Sequence, residues 1–195
     1  VGSNYKAEEG IEGFEAGIFF DHDVTCLGDP VAVAGVCEFT LLAFWPGRSL
    51  CTALTDISPL QELTNLTSLD LSFCGKLTDI SPLQELTNLT SLNLTYCKGL
   101  TDITPLNGLT NLTDLSLRHC KSLADLSQFK SLTKLTSLNL RGCESLTDLS
   151  ALEGLTKLTS RLDLNYCESL TDLSPLQGLT KLESLNLSRC KSLTD

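Results

Sequence analysis

Basic residues are scarce in this chain: 14 lysines and arginines stand against 24 aspartates and glutamates. The formal net charge of -10 repels a phosphate backbone, so the sequence disfavours binding to nucleic acid or to an anionic membrane surface. Long apolar runs are also missing. The best candidate, 31–45, is shorter than the roughly 18 residues that a membrane-spanning helix needs, and it contains Glu38. We therefore expect no membrane span.

Groups that could carry catalysis or bind a metal are few. Only two histidines are present, and the chain has no glycine-rich phosphate loop, HExxH motif or GxSxG motif. The DHD sequence at 21–23 lies near Cys26, but no second ligand pair follows at the spacing of a metal site, so a polar turn is favoured. Arg118 and His119 lie on a predicted strand whose side chains alternate faces, which gives no Ser-His-Asp geometry. The sequence predicts no enzyme, no metal and no cofactor.

Leucine is abundant after residue 53, and it is periodic. The 23-residue segment 54–76 returns in near copies, with one interval of 24 residues because Arg161 is an extra residue before Leu162. A fixed period of this length is typical of a solenoid. Six full copies begin at residues 54, 77, 100, 123, 146 and 170, and a truncated seventh copy begins at 193.

Each copy carries the pattern LxxLxLxxC, as in Leu66, Leu69, Leu71 and Cys74. This pattern resembles the leucine-rich repeat family, and the flanking phrases LTDISPL and LTNLTSLxL are similar to the bacterial internalin group. Internalin-type repeats usually carry asparagine where this chain carries cysteine. The resemblance implies a repeat scaffold that recognises other proteins.

The alternation of leucine with polar residues predicts one short strand in each repeat, such as 68–72. A single repeat cannot bury its leucines alone, so the copies should stack into a curved parallel sheet. Prolines interrupt the rest of the repeat, which favours short 3₁₀ turns over α-helices. The predicted fold is an α/β-type leucine-rich repeat solenoid, right-handed, with these turns on the convex side. The prolines are Pro59, Pro82, Pro105 and Pro175.

Two kinds of polar residue recur at fixed positions. We interpret the repeated aspartate as a cap that accepts backbone N–H bonds from the following turn, rather than as a calcium ladder. The extra Arg161 predicts a bulge at the entrance of its strand, because a one-residue slip would turn the leucines outward. The aspartates are Asp56, Asp79, Asp102, Asp125, Asp148 and Asp172.

A cysteine recurs at the same ladder position of every repeat. Metal ligation and disulfide formation are two interpretations; the third, which we favour, is a small buried hydrophobe that donates weakly to a neighbouring carbonyl. Reduced thiols indicate a cytoplasmic or nuclear protein, with secretion or the cell surface as the alternative. Pairing of Cys26 with Cys37 is left open. The ladder cysteines are Cys74, Cys97, Cys120, Cys143, Cys167 and Cys190.

The two positions that precede each ladder cysteine vary while the rest of the repeat is nearly constant. Aromatic residues and arginine are typical of interface anchors, although ordinary solvated surface is the alternative. We predict a protein partner, of unknown identity, on the concave strand face. Alternatives are the sensing or substrate-docking arm of a larger signalling protein and a secreted, internalin-like adhesin. The candidate partner-binding residues are Phe73, Tyr96, Arg118, His119, Arg141, Tyr166 and Arg189.

The two ends suggest a fragment of a longer protein. The chain begins at Val1 without methionine and stops within a repeat that carries no polar cap. We expect 1–53 to be an N-terminal cap, with one or two strands, or the tail of a preceding region. An uncapped last repeat within 54–195 further predicts end-to-end self-association.

Overall fold

The structure is a computed structural model that describes residues 53–193 and the backbone of 39–42. The DHD sequence at 21–23 and the Cys26–Cys37 pair lie outside the described residues. The assignment of 1–53 as a cap or a tail therefore stays a prediction.

Seven parallel strands form one sheet in the described part of the chain, and each strand pairs with the next one in sequence. The central leucines of the repeats face one another across the ladder, as Leu92 does with Leu69 and Leu115. Six strands come from the six full repeats, which confirms the predicted right-handed solenoid. The strands are β1 (Phe39–Leu42), β2 (Leu66–Asp70), β3 (Ser91–Asn93), β4 (Asp114–Ser116), β5 (Ser137–Asn139), β6 (Arg161–Asp163) and β7 (Ser184–Asn186).

Short 3₁₀ helices form the convex side, as the prolines predicted. In four repeats a proline lies in the first turn, where its fixed φ suits the helix and its missing N–H is not needed. Gln128 and Ala151 replace it in the other two, and the helix of the fifth repeat shortens to three residues. The helices are Ser58–Glu62, Ser81–Glu85, Thr104–Gly108, Ser127–Ser131, Ser150–Leu152 and Ser174–Gly178.

The core is a continuous column of leucines between the sheet and the 3₁₀ helices. Leu83, Leu94 and Leu140 are fully buried, and Phe129 fills the place of a leucine in the fourth repeat, also fully buried. Burying one such side chain stabilises the fold by about 1.5–3 kcal/mol. Each repeat thus gains its stability from its neighbours, as expected for a stacked array.

The recurring aspartates cap the turns, which confirms the predicted role. In the second repeat the Ser81 N–H donates to Asp79 Oδ1 at 2.8 Å, and the same bond joins Asp125 to Ser127 at 2.7 Å. The backbone bond from Ser81 lowers the pKa of Asp79, because it favours the charged carboxylate. All six aspartates accept this bond.

The ladder cysteines are buried, and from Cys97 to Cys190 their thiols donate to backbone carbonyls of the preceding repeat. Cys120 Sγ lies 3.2 Å from the Leu94 carbonyl oxygen, and Cys143 Sγ lies 3.3 Å from that of Leu117. Burial raises the pKa of the Cys143 thiol well above its ordinary value. This arrangement confirms the predicted cysteine ladder, in which sulfur serves as a small apolar group and a weak donor.

The extra residue of the fifth repeat distorts the entrance of β6 and leaves the rest of the strand in place. The Thr159 and Ser160 N–H groups each lie 3.3 Å from the Thr136 carbonyl oxygen, whereas the corresponding bond of Thr136 to Thr113 is 2.8 Å. Register resumes at Leu162, which pairs with Leu138 and is fully buried. The insertion is therefore absorbed before the strand, where the sequence predicted a bulge.

Candidate functional site

The residue before each ladder cysteine has a left-handed backbone conformation; we call these six residues the strand-end row. In the five turns from Tyr96 onward the cysteine N–H bonds to a leucine carbonyl three residues back, as Cys97 does with Leu94 at 3.1 Å. Such turns favour glycine, because bulky side chains rarely adopt positive φ. The row is Phe73 (φ 66°), Tyr96 (64°), His119 (60°), Gly142 (73°), Tyr166 (63°) and Arg189 (61°).

Stacked rings run along the first half of the strand-end row. The Phe73 and Tyr96 ring centroids are 4.9 Å apart with planes 12° apart, and those of Tyr96 and His119 are 4.5 Å apart with planes 26° apart. A left-handed residue costs about 1–2 kcal/mol, while an aromatic pair contributes about 0.5–1.5 kcal/mol beyond burial. Stacking between repeats thus offsets much of the backbone strain.

Gly142 interrupts the stack. A Cβ at this position would collide with His119 Nδ1 and lie 2.8 Å from its Cε1, so the imidazole occupies the space that glycine leaves open. Beyond the gap, guanidinium groups replace rings. Arg189 Cζ lies 4.8 Å from the Tyr166 ring centroid, and Arg141 Cζ lies 5.7 Å from it. Cations at these distances are attracted to the ring face.

The sheet residues that precede the strand-end row are partly committed to the fold. Asp70 and Asn93 accept the N–H of the residue two positions on, at 2.8 and 3.0 Å, and Asn93 Nδ2 donates to Asp70 Oδ2 at 3.0 Å. Asp163 is buried and pairs with Arg161 at 2.9 Å. This polar ladder stabilises the strand ends.

The residue directly before each member of the strand-end row forms the second variable set, which we call the strand-face row. The strand-face row is Ser72, Thr95, Arg118, Arg141, Asn165 and Ser188. Arg118 and Arg141 are half-buried. Their Nε atoms and Asn165 Oδ1 are shielded from solvent and have no hydrogen-bond partner within the described residues. A buried polar atom left in this way costs about 1–3 kcal/mol.

Positive charge is concentrated around His119. Partial burial lowers the pKa of the imidazole, and nearby Arg118, Arg141 and Lys121 lower it further. Lys121 is engaged by Glu144 at 2.7 Å. His119 is thus a stacked, partly buried ring whose lowered pKa favours the neutral imidazole.

The structure brings the seven predicted partner-binding residues into two adjacent rows at one edge of the strand face. Phe73 is 36% exposed, whereas Tyr96 and Tyr166 are half-buried. Tyr96 stacks with Phe73 and with His119, so its ring is held between the two neighbouring repeats. Sequence reasoning missed the left-handed backbone and the stacking; Gly142 was the one signal. Their role in partner binding stays a prediction.

No group of three or more histidine, cysteine, aspartate or glutamate side chains suited to a metal ion occurs within 53–193. A helix long and apolar enough to cross a membrane is likewise absent from the described part of the chain. At the far end of the sheet, Leu185 is 43% exposed, since no described strand follows β7. Self-association through this end stays a prediction.

The family profiles that match this chain are those of leucine-rich repeats, and they match its repeat region. The family profile described as "Leucine Rich repeats (2 copies)" matches residues 49–85, 64–108 and 110–154, and that described as "Leucine Rich repeat" matches 178–195. Comparison with curated proteins gave no match.

Solved structures of Listeria monocytogenes internalins are similar to this chain. An internalin (inlF) is 41% identical over 67% of this chain and 37% of its own, with a TM-score of 0.63. Internalin C2 (inlC2) is 30% identical over 68% and 66% of the two chains, with a TM-score of 0.48. The functional domain of InlJ, whose description includes a cysteine ladder, is 23% identical over 81% and 39%, with a TM-score of 0.45.

The present chain thus spans little more than a third of the inlF chain that it matches. The matched profiles cover more than half of the sequence, and the solenoid, its leucine core and its internalin-like repeats agree with them. The protein belongs to the leucine-rich repeat family.

Proposed function

We propose that the protein is a non-enzymatic recognition module that binds a protein partner across the concave strand face, including the strand-end row. Five bulky side chains held at positive φ carry this proposal. A turn that served only to reverse the chain would favour glycine or asparagine at this position. Strain retained at a surface of varied side chains indicates selection for those side chains, and hence for what they contact.

The alternative, ordinary solvated surface, accounts less well for the arrangement. Solvated side chains have no need of a continuous stack, whereas pre-ordered aromatic and arginine groups lose little entropy when a partner binds. Arg118 and Arg141 also keep donors without partners next to this stack. Surfaces of this composition are typical of interface anchors.

A photo-crosslinking experiment tests the proposal. p-Benzoylphenylalanine is placed at Asp114 on the strand face and, as a matched control in the same repeat, at Asn107 on the convex side; both positions are exposed. In an extract of the source organism we expect a discrete crosslinked protein from position 114 and none from 107. The product should disappear in a Tyr96→Ala, Arg118→Ala background. Equal products at both positions, or a product that survives the double substitution, would contradict the proposal.

The wider context of the module also belongs to the proposal. Identity of 41% with an internalin supports the internalin-like alternative over the arm of a signalling protein. Buried thiols of raised pKa are poorly reactive in any compartment, so the ladder is compatible with an extracellular location as well as with the cytoplasm predicted from the sequence. Fractionation of the source cells tests this directly.

A further inference from the structure

We propose that the partner presents an acidic peptide segment, whose carboxylates are bound by the paired guanidinium groups of Arg118 and Arg141. The inference rests on the proposed function, because it names the chemistry of the ligand for the same surface. It is carried by the geometry of the arginine pair, by its lack of acidic partners and by the unpaired polar atoms beside it.

The two arginines lie at equivalent positions just beyond β4 and β5. The sheet bonds continue through them, since the Tyr96 N–H bonds to the Arg118 carbonyl and the His119 N–H bonds to the Arg141 carbonyl, both at 2.7 Å. Neighbouring strands are about 4.8 Å apart, so the backbone positions that carry the two arginines are adjacent, and Arg141 Cζ also lies 5.7 Å from the Tyr166 ring centroid. Two like charges on adjacent strands repel each other, and an anion that contacts both of them relieves the repulsion.

Acidic partners are supplied elsewhere on the molecule but not to this pair. Arg161, on the same sheet, is bound by Asp163 at 2.9 Å, and Lys121 and Lys191 each pair with a glutamate. Arg118 and Arg141 form no ion pair within the described residues. In a chain of net charge -10 they are a local positive site on the strand face.

The unpaired atoms specify the ligand. A carboxylate binds an arginine through two parallel N–H bonds. The Nε atoms are shielded from solvent in the described conformation, so the proposal requires the half-buried side chains to rotate when the ligand binds. The Asn165 Oδ1 atom, one strand further on, is a hydrogen-bond acceptor that also lacks a partner. A peptide offers both groups, since its acidic side chains accept and its backbone N–H donates. A simple anion or a sulfated sugar lacks the amide donors of an extended backbone.

Direct binding of a defined probe tests the inference. Fluorescent hexaglutamate, hexaglutamine and a heparin hexasaccharide are titrated with the full chain at pH 7.5 and low salt. We expect hexaglutamate to bind, hexaglutamine not to bind, and heparin to bind more weakly than hexaglutamate. Arg118→Gln and Arg141→Gln should each weaken hexaglutamate binding by about tenfold, as the loss of a charge-assisted pair predicts.

Arg161→Gln is the matched control, because that arginine lies on the same sheet but is already paired; it should change binding less than twofold. Circular dichroism and urea unfolding confirm that each variant is folded. In the His119 imidazole NMR titration, bound hexaglutamate should raise the pKa, because carboxylates then face the surrounding cations.

No hexaglutamate binding, equal loss in the Arg161 variant, or tighter binding of heparin would overturn the inference. The proposed function is tested separately. If strand-face crosslinking persists while hexaglutamate fails to bind, only the proposal of an acidic ligand is contradicted. If crosslinking fails at Asp114, the proposed recognition surface itself is contradicted.

Discussion

At the scale of single residues, the strand-end row sets local strain against contacts between repeats. Phe73, Tyr96 and His119 have positive φ and recover stability by stacking on one another. Gly142 suits the same backbone without strain, and its missing side chain makes room for His119. The row therefore depends on one glycine as well as on its rings.

Replacement of that glycine should be costly. In Gly142→Ala the new Cβ collides with the imidazole and the residue remains at φ +73°, so we expect the free energy of unfolding to fall by about 1–3 kcal/mol in urea titrations. Gly154→Ala is the control, since a Cβ there meets no atom within 4 Å and φ is not positive. Equal stability of Gly142→Ala and wild type would show that the imidazole is not held over residue 142.

At the scale of the element, each repeat keeps its strand in register by an exact residue count, and the fifth repeat shows what one extra residue does. The distortion is confined to the Thr159 and Ser160 bonds, and Leu162 returns to the core. Register is preserved because a slip would expose every inward leucine of the strand. The extra residue is thus tolerated rather than required by the fold.

Deletion experiments distinguish tolerance from requirement. Deleting Ser160 restores a 23-residue repeat and should leave the free energy of unfolding within about 1 kcal/mol of wild type. Deleting Ser137, at the strand entrance of a regular repeat, should shift Leu138 out of register and abolish the cooperative unfolding transition. Circular dichroism in urea measures both. A Ser160 deletion as damaging as the Ser137 deletion would assign the extra residue a structural role.

The cysteine ladder should make stability depend on alkaline pH. Burial, with a smaller effect of Cys190, raises the pKa of Cys167 to about 12 from an ordinary value of 9.0. The unfolded chain therefore loses a proton that the folded chain retains between these values. The stabilising contribution is complete below pH 9 and is lost as the pH rises toward 12.

In wild type the free energy of unfolding should fall as the pH rises from about 9.5 to about 11. We expect Cys167→Ala to make this fall shallower by about 1.4 kcal/mol per pH unit, measured by urea unfolding. Ser145→Ala, an exposed and non-titrating change nearby, should keep the wild-type slope. Parallel profiles for Cys167→Ala and wild type would mean that the thiol ionises equally in both states.

At the scale of the whole molecule, the solenoid shields its sulfur atoms unequally. Five ladder cysteines from Cys74 to Cys167 are fully buried, while Cys190, in the last described repeat, is 8% exposed. Thiol reagents react with the thiolate, so burial and raised pKa both protect the ladder. Protection should follow the position of each repeat in the array.

Among the six ladder cysteines, alkylation followed by peptide mass spectrometry should find Cys190 labelled first in the native protein, with Cys120 and Cys143 labelled only when the chain unfolds in denaturant. Cys190 leads because its pKa is raised less strongly by burial than that of Cys143. Early labelling of Cys143 would show that the array opens from its centre.

The sequence predicted the features that recur in every repeat. It did not predict the features that depend on how one repeat differs from its neighbours. Leucine spacing, prolines and aspartates gave the strands, the 3₁₀ helices and the turn caps, because each follows from the chemistry of its own residue type. The positive φ of Tyr96 does not follow from tyrosine; it is imposed by the turn between strand and cysteine. Likewise, the lack of acidic partners for Arg118 and Arg141 depends on which side chains neighbouring strands supply.

Two interruptions coincide at one junction of the array. The ring stack stops at Gly142 in the fourth repeat, and the hydrogen bonds from Thr159 and Ser160 to the fourth repeat are lengthened at the entrance of β6. A repeat array is held together by its nearest-neighbour interfaces, so a junction with lengthened strand hydrogen bonds favours opening at that point. We expect amide hydrogen exchange to show that the described solenoid opens as two cooperative blocks, 53–145 and 146–193. Repeats of nearly identical sequence would then differ in how strongly they hold to their neighbours.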